Sequence, residues 1–252
     1  MAKKILLVDD DKDILMVLSF ALQDAGYDVS AAPSGQEAIE KVRQCAVAGG
    51  TPFPVAVIDI MMPEMDGLEL LRLIKSESPD TMAVMLTAHL SAEAAIRALN
   101  EGAFAYLTKP VNIAEINLVA SNAYEKYSLV MENRRLMAEL AVAKNYSDTI
   151  VRNMMYTVIA TDNNGFIRKI NKATEDMLGY TDAELAGAPL ETIFAPAFKA
   201  ASWQDMIKQG KVKDFPMMFL SRAGREVKVF FTGTILKDED GQIIGFLGTV
   251  RK

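Results

Sequence analysis

The sequence predicts an α/β domain with a doubly wound, parallel (βα)5 sheet, followed by a long helical linker and an α+β domain with an antiparallel sheet. Short, continuous apolar runs, such as residues 5–8 and 55–58, are separated by helix-forming stretches and indicate the first domain. Glycine and proline are lacking from residue 112 through 162, which indicates the linker. Alternating apolar segments joined by turn sequences indicate the last domain.

Polar residues stand where the strands of the first domain end. The five predicted strands lie near residues 4–8, 28–32, 55–59, 82–87 and 104–108. Asp9 and Asp10 follow the first strand, Asp59 ends the third, Thr87 ends the fourth and Lys109 follows the fifth. Because the carboxyl ends of parallel strands share one edge of the sheet, these groups are expected to converge there. Such carboxylates suit Mg²⁺, and a lysine with a hydroxyl suits phosphoryl oxygens, which leaves Asp59 as the nucleophile.

A simpler interpretation needs no chemistry. Carboxylates are favoured at helix N-termini, so the acidic run from Asp9 to Asp13 would cap the first helix, and Lys109 would be a surface charge. Four polar strand ends in the order expected of one sheet edge favour the functional interpretation over this one.

Residues 1–122 resemble the receiver domain of bacterial two-component response regulators. The motifs that carry the resemblance are Asp-Asp, Asp-x-x-Met-Pro-x-x-Asp-Gly, Thr-Ala and Lys-Pro, in that order. The resemblance implies that Asp59 is the phosphoacceptor of a phosphoprotein. It further implies a site for Mg²⁺ (or Mn²⁺) formed by Asp9, Asp10, Asp59 and the backbone carbonyl of Met61.

The same resemblance assigns roles around the phosphoryl group. Thr87 and Lys109 are implied to contact its oxygens, and Thr87 with Tyr106 is implied to form a switch in which the aromatic ring turns inward. His89, two residues after Thr87, falls at a position on the edge of the site. The resemblance implies that a residue there tunes dephosphorylation or contacts a partner. The alternative is that His89 is an ordinary exposed loop histidine.

The predicted linker, residues 123–152, carries a weak seven-residue repeat with polar interruptions. One repeat position holds Lys126, Asn133, Leu140, Ser147 and Met154, and the other holds Leu129, Leu136, Ala143 and Ile150. This pattern favours a homodimer in which a buried Asn133 sets the register of a parallel coiled coil. The alternative is one amphipathic helix that lies on its own domain.

The last part of the chain is predicted to contain a hairpin turn at 162–165, a short helix at 172–178 and a capping box at 181–184. Three later strands are predicted near residues 213–220, 225–236 and 242–250. Four segments carry a family resemblance: Ala-Thr-Asp-Asn-Asn-Gly at 160–165, Asn-Lys-Ala at 171–173, Leu-Gly-Tyr at 178–180, and residues 241–248, which begin and end with glycine. On these segments, residues 153–252 resemble a PAS domain. PAS domains sense ligands, bind cofactors or dimerise. Because residues 150–252 contain neither cysteine nor histidine, a flavin-cysteinyl adduct and a histidine-ligated haem are excluded, and the ligand stays unknown.

Charge and hydropathy restrict the partners. Residues 1–124 hold 17 acidic and nine basic residues, and the rest of the chain is nearly balanced, so no segment has the basic excess that direct nucleic-acid binding needs. No apolar run approaches the length of a membrane span and the N-terminus does not resemble a signal peptide, so we expect a cytoplasmic protein without a membrane contact.

Together these features predict phosphorelay signal transduction. Asp59 would accept a phosphoryl group from a histidine kinase or phosphotransfer protein, and the long helix would pass the change to the PAS domain, which dimerises or senses. The chain would then be a switch more than an enzyme. Two alternatives are the regulatory front of a longer histidine kinase or cyclase, and a ligand-binding PAS sensor that the receiver gates.

Overall fold

The structure, a computed structural model, describes residues 3–47, 53–88, 96, 98–196 and 211–251. It divides into two compact units, residues 1–138 and 139–252, each of which is described by itself. His89 lies outside the described residues.

The first unit contains a five-stranded parallel sheet of the predicted class. Its strands are β1 (Lys3–Val8), β2 (Tyr27–Ala32), β3 (Val55–Asp59), β4 (Met82–Thr87) and β5 (Ala105–Thr108). Helices α1 (Lys12–Asp24), α2 (Gly35–Val47) and α3 (Gly67–Glu77) alternate with the first strands. The strand order is β2-β1-β3-β4-β5, so the chain reverses its direction of winding after β2, and β1 and β3 lie side by side at the centre.

Apolar side chains bury both faces of this sheet. All five residues of β3 are buried, as are the last four of β1. One face packs against α2 and α3, where Leu70, Leu71 and Ile74 are fully buried, and the other packs against α1 and the start of the long helix. Burial on both faces explains why the strands read as continuous apolar runs rather than as alternating ones.

The predicted helix between the domains is present as one continuous helix, α4 (Ile113–Asn153), of 41 residues. Its buried residues, Ile116, Ala120 and Ala123, all lie in its first three turns. Farther along, Arg134 forms a bidentate ion pair with Asp80 of the first unit. The helix ends at Asn153, ten residues before Asn163, the first residue that the sequence offers as a helix breaker. Among the described helices, none has the length and apolarity to cross a bilayer.

The second unit contains a five-stranded antiparallel sheet, as the sequence predicts. Its strands are β6 (Thr157–Asp162), β7 (Ile167–Ile170), β8 (Lys211–Leu220), β9 (Glu226–Lys237) and β10 (Ile243–Arg251), in the order β7-β6-β10-β9-β8. Two short helices, α5 (Lys172–Leu178) and α6 (Asp182–Leu185), and a 3₁₀ turn (Leu190–Ile193) cover one face. The capping box that Thr181 and Glu184 predict is formed.

Aromatic rings fill the core of this unit. Phe194 stacks on Phe219 with ring centroids 5.7 Å apart, and Phe219 contacts Phe231 at 6.5 Å. The ring of Phe231 lies over Gly248, where a Cβ atom would come within 2.4 Å of Phe231 Cε2. A glycine is therefore needed at 248 so that the largest core side chain of β9 can lie flat on β10.

A buried asparagine joins the end of α4 to the second unit. Asn171 Oδ1 accepts hydrogen bonds from Val158 N at 2.9 Å and from Thr174 Oγ1 at 2.9 Å. Its Nδ2 donates to the carbonyl oxygens of Tyr156 at 2.8 Å and Met154 at 3.3 Å, just beyond the helix. These bonds fix the path of the chain from α4 into β6, which explains why the helix ends where it does.

Replacing Asn171 with alanine should destabilise the second unit. The change removes the hydrogen bonds that Asn171 forms with Val158 N–H and with the Tyr156 carbonyl oxygen, and each lost hydrogen bond costs about 0.5–1.5 kcal/mol. Urea unfolding followed by circular dichroism measures the loss. Asn164→Ala, an exposed turn position, serves as the control. Equal unfolding midpoints for the two variants would show that the Asn171 bonds do not hold this junction.

Candidate functional site

Two buried carboxylates lie next to each other at the carboxyl edge of the parallel sheet. Asp59 is the last residue of β3, and Asp9 follows β1. The register of these strands pairs Val8 with Ile58, so the residues after them are neighbours as well. Asp9 is fully buried and Asp59 is 3% exposed. Carboxylates are almost never buried to this degree unless charged or polar groups compensate them.

The compensating cation is Lys109. Its Nζ lies 2.7 Å from Asp9 Oδ2 and 2.9 Å from Asp59 Oδ2. The backbone positions it, because Lys109 N donates a hydrogen bond to the carbonyl oxygen of Thr87 at 2.7 Å. The ends of β1, β3, β4 and β5 are thereby joined, as the sequence predicts.

The pKa values of this cluster reflect burial set against pairing. Burial raises the pKa of Asp59 above its ordinary value, and the charge of Asp9 acts in the same direction, whereas Lys109 and the Met61 backbone N–H oppose the rise. Burial alone would lower the pKa of Lys109, but its hydrogen bonds to Asp9 and Asp59, together with their charges, raise it instead. Lys109 is therefore a permanent cation at neutral pH.

The cluster has the composition of a divalent-cation site. Asp9, Asp10 and Asp59 each offer an oxygen, and these three atoms lie within 4.8 Å of one another. Asp59 Oδ1 is buried and has no hydrogen-bond partner among the described residues. A buried oxygen without a hydrogen-bond partner indicates a position where a ligand can bind. Mg²⁺ typically binds a few carboxylates and completes its coordination with water. The residues present therefore fit the ion that the receiver family typically binds.

The helix-capping alternative holds for one acid of the run. Asp11 is the N-cap of α1, and its side chain accepts from Asp13 N at 2.8 Å and Ile14 N at 3.3 Å. Asp9 instead accepts from Asp11 N at 3.0 Å and turns into the cluster, and the exposed Asp10 joins it there. The acidic run is thus divided between a cap and the candidate site.

The other predicted residues occupy the same edge, and their roles stay predictions. Thr87 ends β4 and is 4% exposed. Tyr106, on β5, is half-buried against the core beneath α2 and α3. The side chain of Met61 is exposed, which leaves its backbone as the part that faces Asp59.

Gly67 is a site residue to which sequence reasoning assigned no role. It begins α3 behind the Asp66 cap, and its N–H donates to the Ile60 carbonyl oxygen at 3.0 Å. A Cβ atom at this position would lie 2.1 Å from the carbonyl oxygen of Asp59. The Asp-Gly pair that ends the motif was the available signal, since such a close approach of two backbones requires glycine.

Comparison with protein families identifies both units. The family model "Response regulator receiver domain" matches residues 5–121, and the model "PAS domain" matches residues 153–251. The chain therefore consists of a response regulator receiver domain followed by a PAS domain. These two domains assign it to two-component signalling, and the fold and strand order agree with that assignment.

Individual relatives match the receiver part. The transcriptional regulatory protein ZraR of Klebsiella oxytoca is 39% identical over 119 residues, which are 47% of this chain and 26% of that protein. The DNA-binding transcriptional regulator NtrC of Escherichia coli (strain K12) is 38% identical over 130 residues, 52% of this chain and 26% of that protein. A structure titled adenylate cyclase from Rhodopirellula baltica is 31% identical, with a TM-score of 0.50, and the match covers 55% of this chain and 98% of that one. The chain thus spans about a quarter of the two regulators.

Substituting Gly67 with alanine should destabilise the receiver domain at the end of β3. The new methyl group would collide with the Asp59 carbonyl, so β3 or α3 must shift, and overpacking of this kind costs about 1–3 kcal/mol. Thermal unfolding followed by circular dichroism measures the loss. Glu69→Ala, on the exposed face of the same helix, is the control. If Gly67→Ala and the control unfold at the same temperature, the close approach of the two backbones does not constrain the site.

Proposed function

We propose that the chain is a phosphorelay switch whose receiver domain accepts a phosphoryl group on Asp59 from the phosphohistidine of a histidine kinase or phosphotransfer protein. The observation that carries this proposal is the state of Asp59. One of its oxygens is held by Lys109, whereas the other is buried without a hydrogen-bond partner among the described residues. A carboxylate that is buried, oriented and incompletely satisfied at a sheet edge is suited to nucleophilic attack.

In the transfer, a carboxylate oxygen of Asp59 forms a bond to phosphorus as the bond from phosphorus to the donor imidazole nitrogen breaks. The electron pair stays on that nitrogen. The Lys109 ammonium, within 2.9 Å of Asp59, is placed to contact a phosphoryl oxygen, and the Thr87 hydroxyl is proposed to donate to another. Burial of the pair strengthens these contacts relative to water.

Asp9, Asp10, Asp59 and the backbone carbonyl of Met61 would hold Mg²⁺ (or Mn²⁺) at this site. When bound, the ion supplies positive charge against the phosphoryl oxygens. Among the described residues, Asp9 and Asp59 pair with one cation, Lys109, so this part of the cluster keeps an excess of negative charge that favours binding of a divalent ion.

Signalling onward is proposed to run through Thr87 and Tyr106 to α4 and the PAS domain. The partners are a phosphodonor and a second copy of the chain, which associates through α4, the PAS domain or both. We place the protein in the cytoplasm, without direct nucleic-acid or membrane contact. A PAS ligand stays open, and the absence of cysteine and histidine from residues 150–252 argues against a flavin-cysteinyl adduct and a histidine-ligated haem.

The two alternatives have less support. Similarity to two transcriptional regulators favours a response regulator over the front of a kinase or cyclase, and the structure titled adenylate cyclase matches the receiver-sized part of this chain. A PAS sensor gated by the receiver would need a ligand, and the PAS ligand stays unknown.

Asp59→Asn should abolish phosphoryl uptake from acetyl phosphate in the presence of Mg²⁺. The amide keeps the shape of the side chain and removes the nucleophilic charge. Labelling with a radioactive donor, tested for acid stability and base lability, gives the result. Asp13→Asn, an exposed acid on α1, should label like the wild type. Wild-type labelling of Asp59→Asn would overturn the assignment of the phosphoacceptor.

Asp10→Ala should weaken Mg²⁺ binding by about tenfold or more while leaving the fold intact, since Asp10 is exposed and one of few protein ligands is lost. Titration calorimetry compares its affinity with that of the wild type and of Asp28→Ala, an exposed acid on β2 outside the cluster. An unchanged affinity in Asp10→Ala would remove Asp10 from the ligand set.

A further inference from the structure

An ion pair joins the middle of α4 to the loop between α3 and β4 of the first unit. Arg134 of the helix contacts Asp80 of the loop through both terminal guanidinium nitrogens: Nη1 contacts Oδ2, and Nη2 donates to Oδ1 at 3.0 Å. The Asp80 side chain is 20% exposed and the Arg134 side chain is 65% exposed. A bidentate pair of this kind fixes the direction of both side chains, which a single ionic contact does not do.

We infer that this ion pair, which we name the helix latch, holds α4 against the receiver domain as far as Arg134. The helix then moves as one body with the receiver up to this residue, and it changes its position there only when the latch opens. The inference rests on the proposed function in one respect, because the latch is a contact that a change at Asp59 has to displace in order to move α4.

The loop that carries Asp80 is itself held firmly. Lys75, in the last turn of α3, donates from Nζ to the carbonyl oxygens of Thr81 at 2.8 Å and Pro79 at 3.3 Å. Thr81 is buried, and its hydroxyl donates to the carbonyl oxygen of Phe53 at 2.8 Å. Asp80 lies between Pro79 and Thr81, so its backbone is fixed before the ion pair forms. A carboxylate on a fixed loop loses little conformational freedom on pairing, which strengthens the latch.

The side of α4 that carries Arg134 faces the core of the receiver. Its three buried residues belong to that core: Ile116, Ala120 and Ala123. Tyr127 follows Ala123 by four residues and precedes Arg134 by seven, so both side chains lie on the same side of the helix. Burial raises the pKa of the Tyr127 phenol, and the charge of Asp80 raises it further, whereas Arg134 opposes the rise. Tyr127 therefore lies close to both members of the latch.

Helix α3 connects the latch to the proposed phosphoacceptor. Its first residue, Gly67, lies against the carbonyl oxygen of Asp59, and its last turn holds the loop of Asp80 through Lys75. An α-helix transmits a displacement from one end to the other as a rigid element. The latch thus stands where a displacement of α3 at Asp59 would reach α4.

The strength of the latch suits a contact that can open. Exposed ion pairs stabilise proteins only modestly, because water and salt screen them. The exposed Arg134 makes the latch such a pair, and the fixed loop with the bidentate geometry places it at the upper end of their range. Breaking it is expected to raise the population of opened helix by about two- to fivefold.

Hydrogen–deuterium exchange of the full chain, read in peptides that cover residues 127–138, tests the latch. Asp80→Asn and Arg134→Gln should each speed exchange in this segment by about two- to fivefold, because exchange follows the opened population. The double variant should exchange no faster than either single variant, since the second change finds no ion pair left to remove. Glu101→Gln, which breaks the Arg72–Glu101 ion pair of the same unit, is the matched control and should leave the segment unchanged.

The phenol of Tyr127 supplies a readout that a general loss of stability does not move. Asp80→Asn should lower the pKa of Tyr127, because the carboxylate that disfavours the phenolate is gone, and opening of the latch acts in the same direction. NMR titration of the full chain with ring-labelled tyrosine measures this pKa, and Tyr127→Phe assigns the signal. In Glu101→Gln the pKa should equal that of the wild type.

Three results would each overturn the inference. The first is wild-type exchange of residues 127–138 in both single variants, which would show that the ion pair does not hold the helix. The second is an additive effect in the double variant, which would show that Asp80 and Arg134 act separately. The third is an unchanged pKa of Tyr127 in Asp80→Asn, which would show that Asp80 does not face α4.

Phosphoryl uptake by the same variants separates the latch from the proposed function. Asp59 should be labelled by acetyl phosphate in the latch variants as in the wild type, because neither Asp80 nor Arg134 belongs to the acidic cluster. Normal labelling with wild-type exchange in both single variants would leave the phosphoacceptor in place and remove the latch. Faster exchange in those variants, in a protein whose Asp59 is never labelled, would remove the proposed function and leave the latch in place.

Discussion

The receiver domain depends on one electrostatic constraint, the burial of two carboxylates beside a single lysine. Asp9 and Asp59 are almost completely withdrawn from water, and the ammonium of Lys109 lies within 3 Å of both. A lone buried charge would be shifted to its neutral form or would destabilise the fold, so each acid depends on that cation. Among the described residues, these two anions pair with one cation, and a buried oxygen of Asp59 has no hydrogen-bond partner. Structure and proposed chemistry thus follow from the same imbalance.

Backbone contacts around the cluster hold the strand ends in place. The close approach of Gly67 to Asp59 and the bond from Lys109 N to Thr87 tie three strand ends to one point. In the proposed function, a change in charge at Asp59 would act on the ends of β4 and β5 as well as on its own side chain. In the PAS domain, hydrogen bonds of Asn171 fix the path by which the chain leaves α4 and enters β6.

Local and periodic features were predictable from the sequence, and long-range ones were not. The proximity of Asp9, Asp59 and Lys109 was predictable because parallel strands end at one edge of the sheet. The Thr181–Glu184 capping box was predictable because it involves four consecutive residues. The end of α4 at Asn153 depends on Asn171, which lies 18 residues farther along the chain and is invisible to helix propensity. Likewise, nothing in the acidic run shows that Asp11 caps α1 while Asp9 turns inward, because that choice depends on the packing of β1 against β3.

The central claim, that the buried carboxylate of Asp59 is the group that receives phosphorus, is tested most directly by mapping the modified residue in the wild-type chain. After exposure to acetyl phosphate and Mg²⁺, borohydride reduction converts an aspartyl phosphate to homoserine, which peptide mass spectrometry can locate. The account predicts homoserine at position 59, dependent on both phosphodonor and Mg²⁺. Homoserine at Asp9, Asp10 or another acid, or none at position 59 under these conditions, would contradict it.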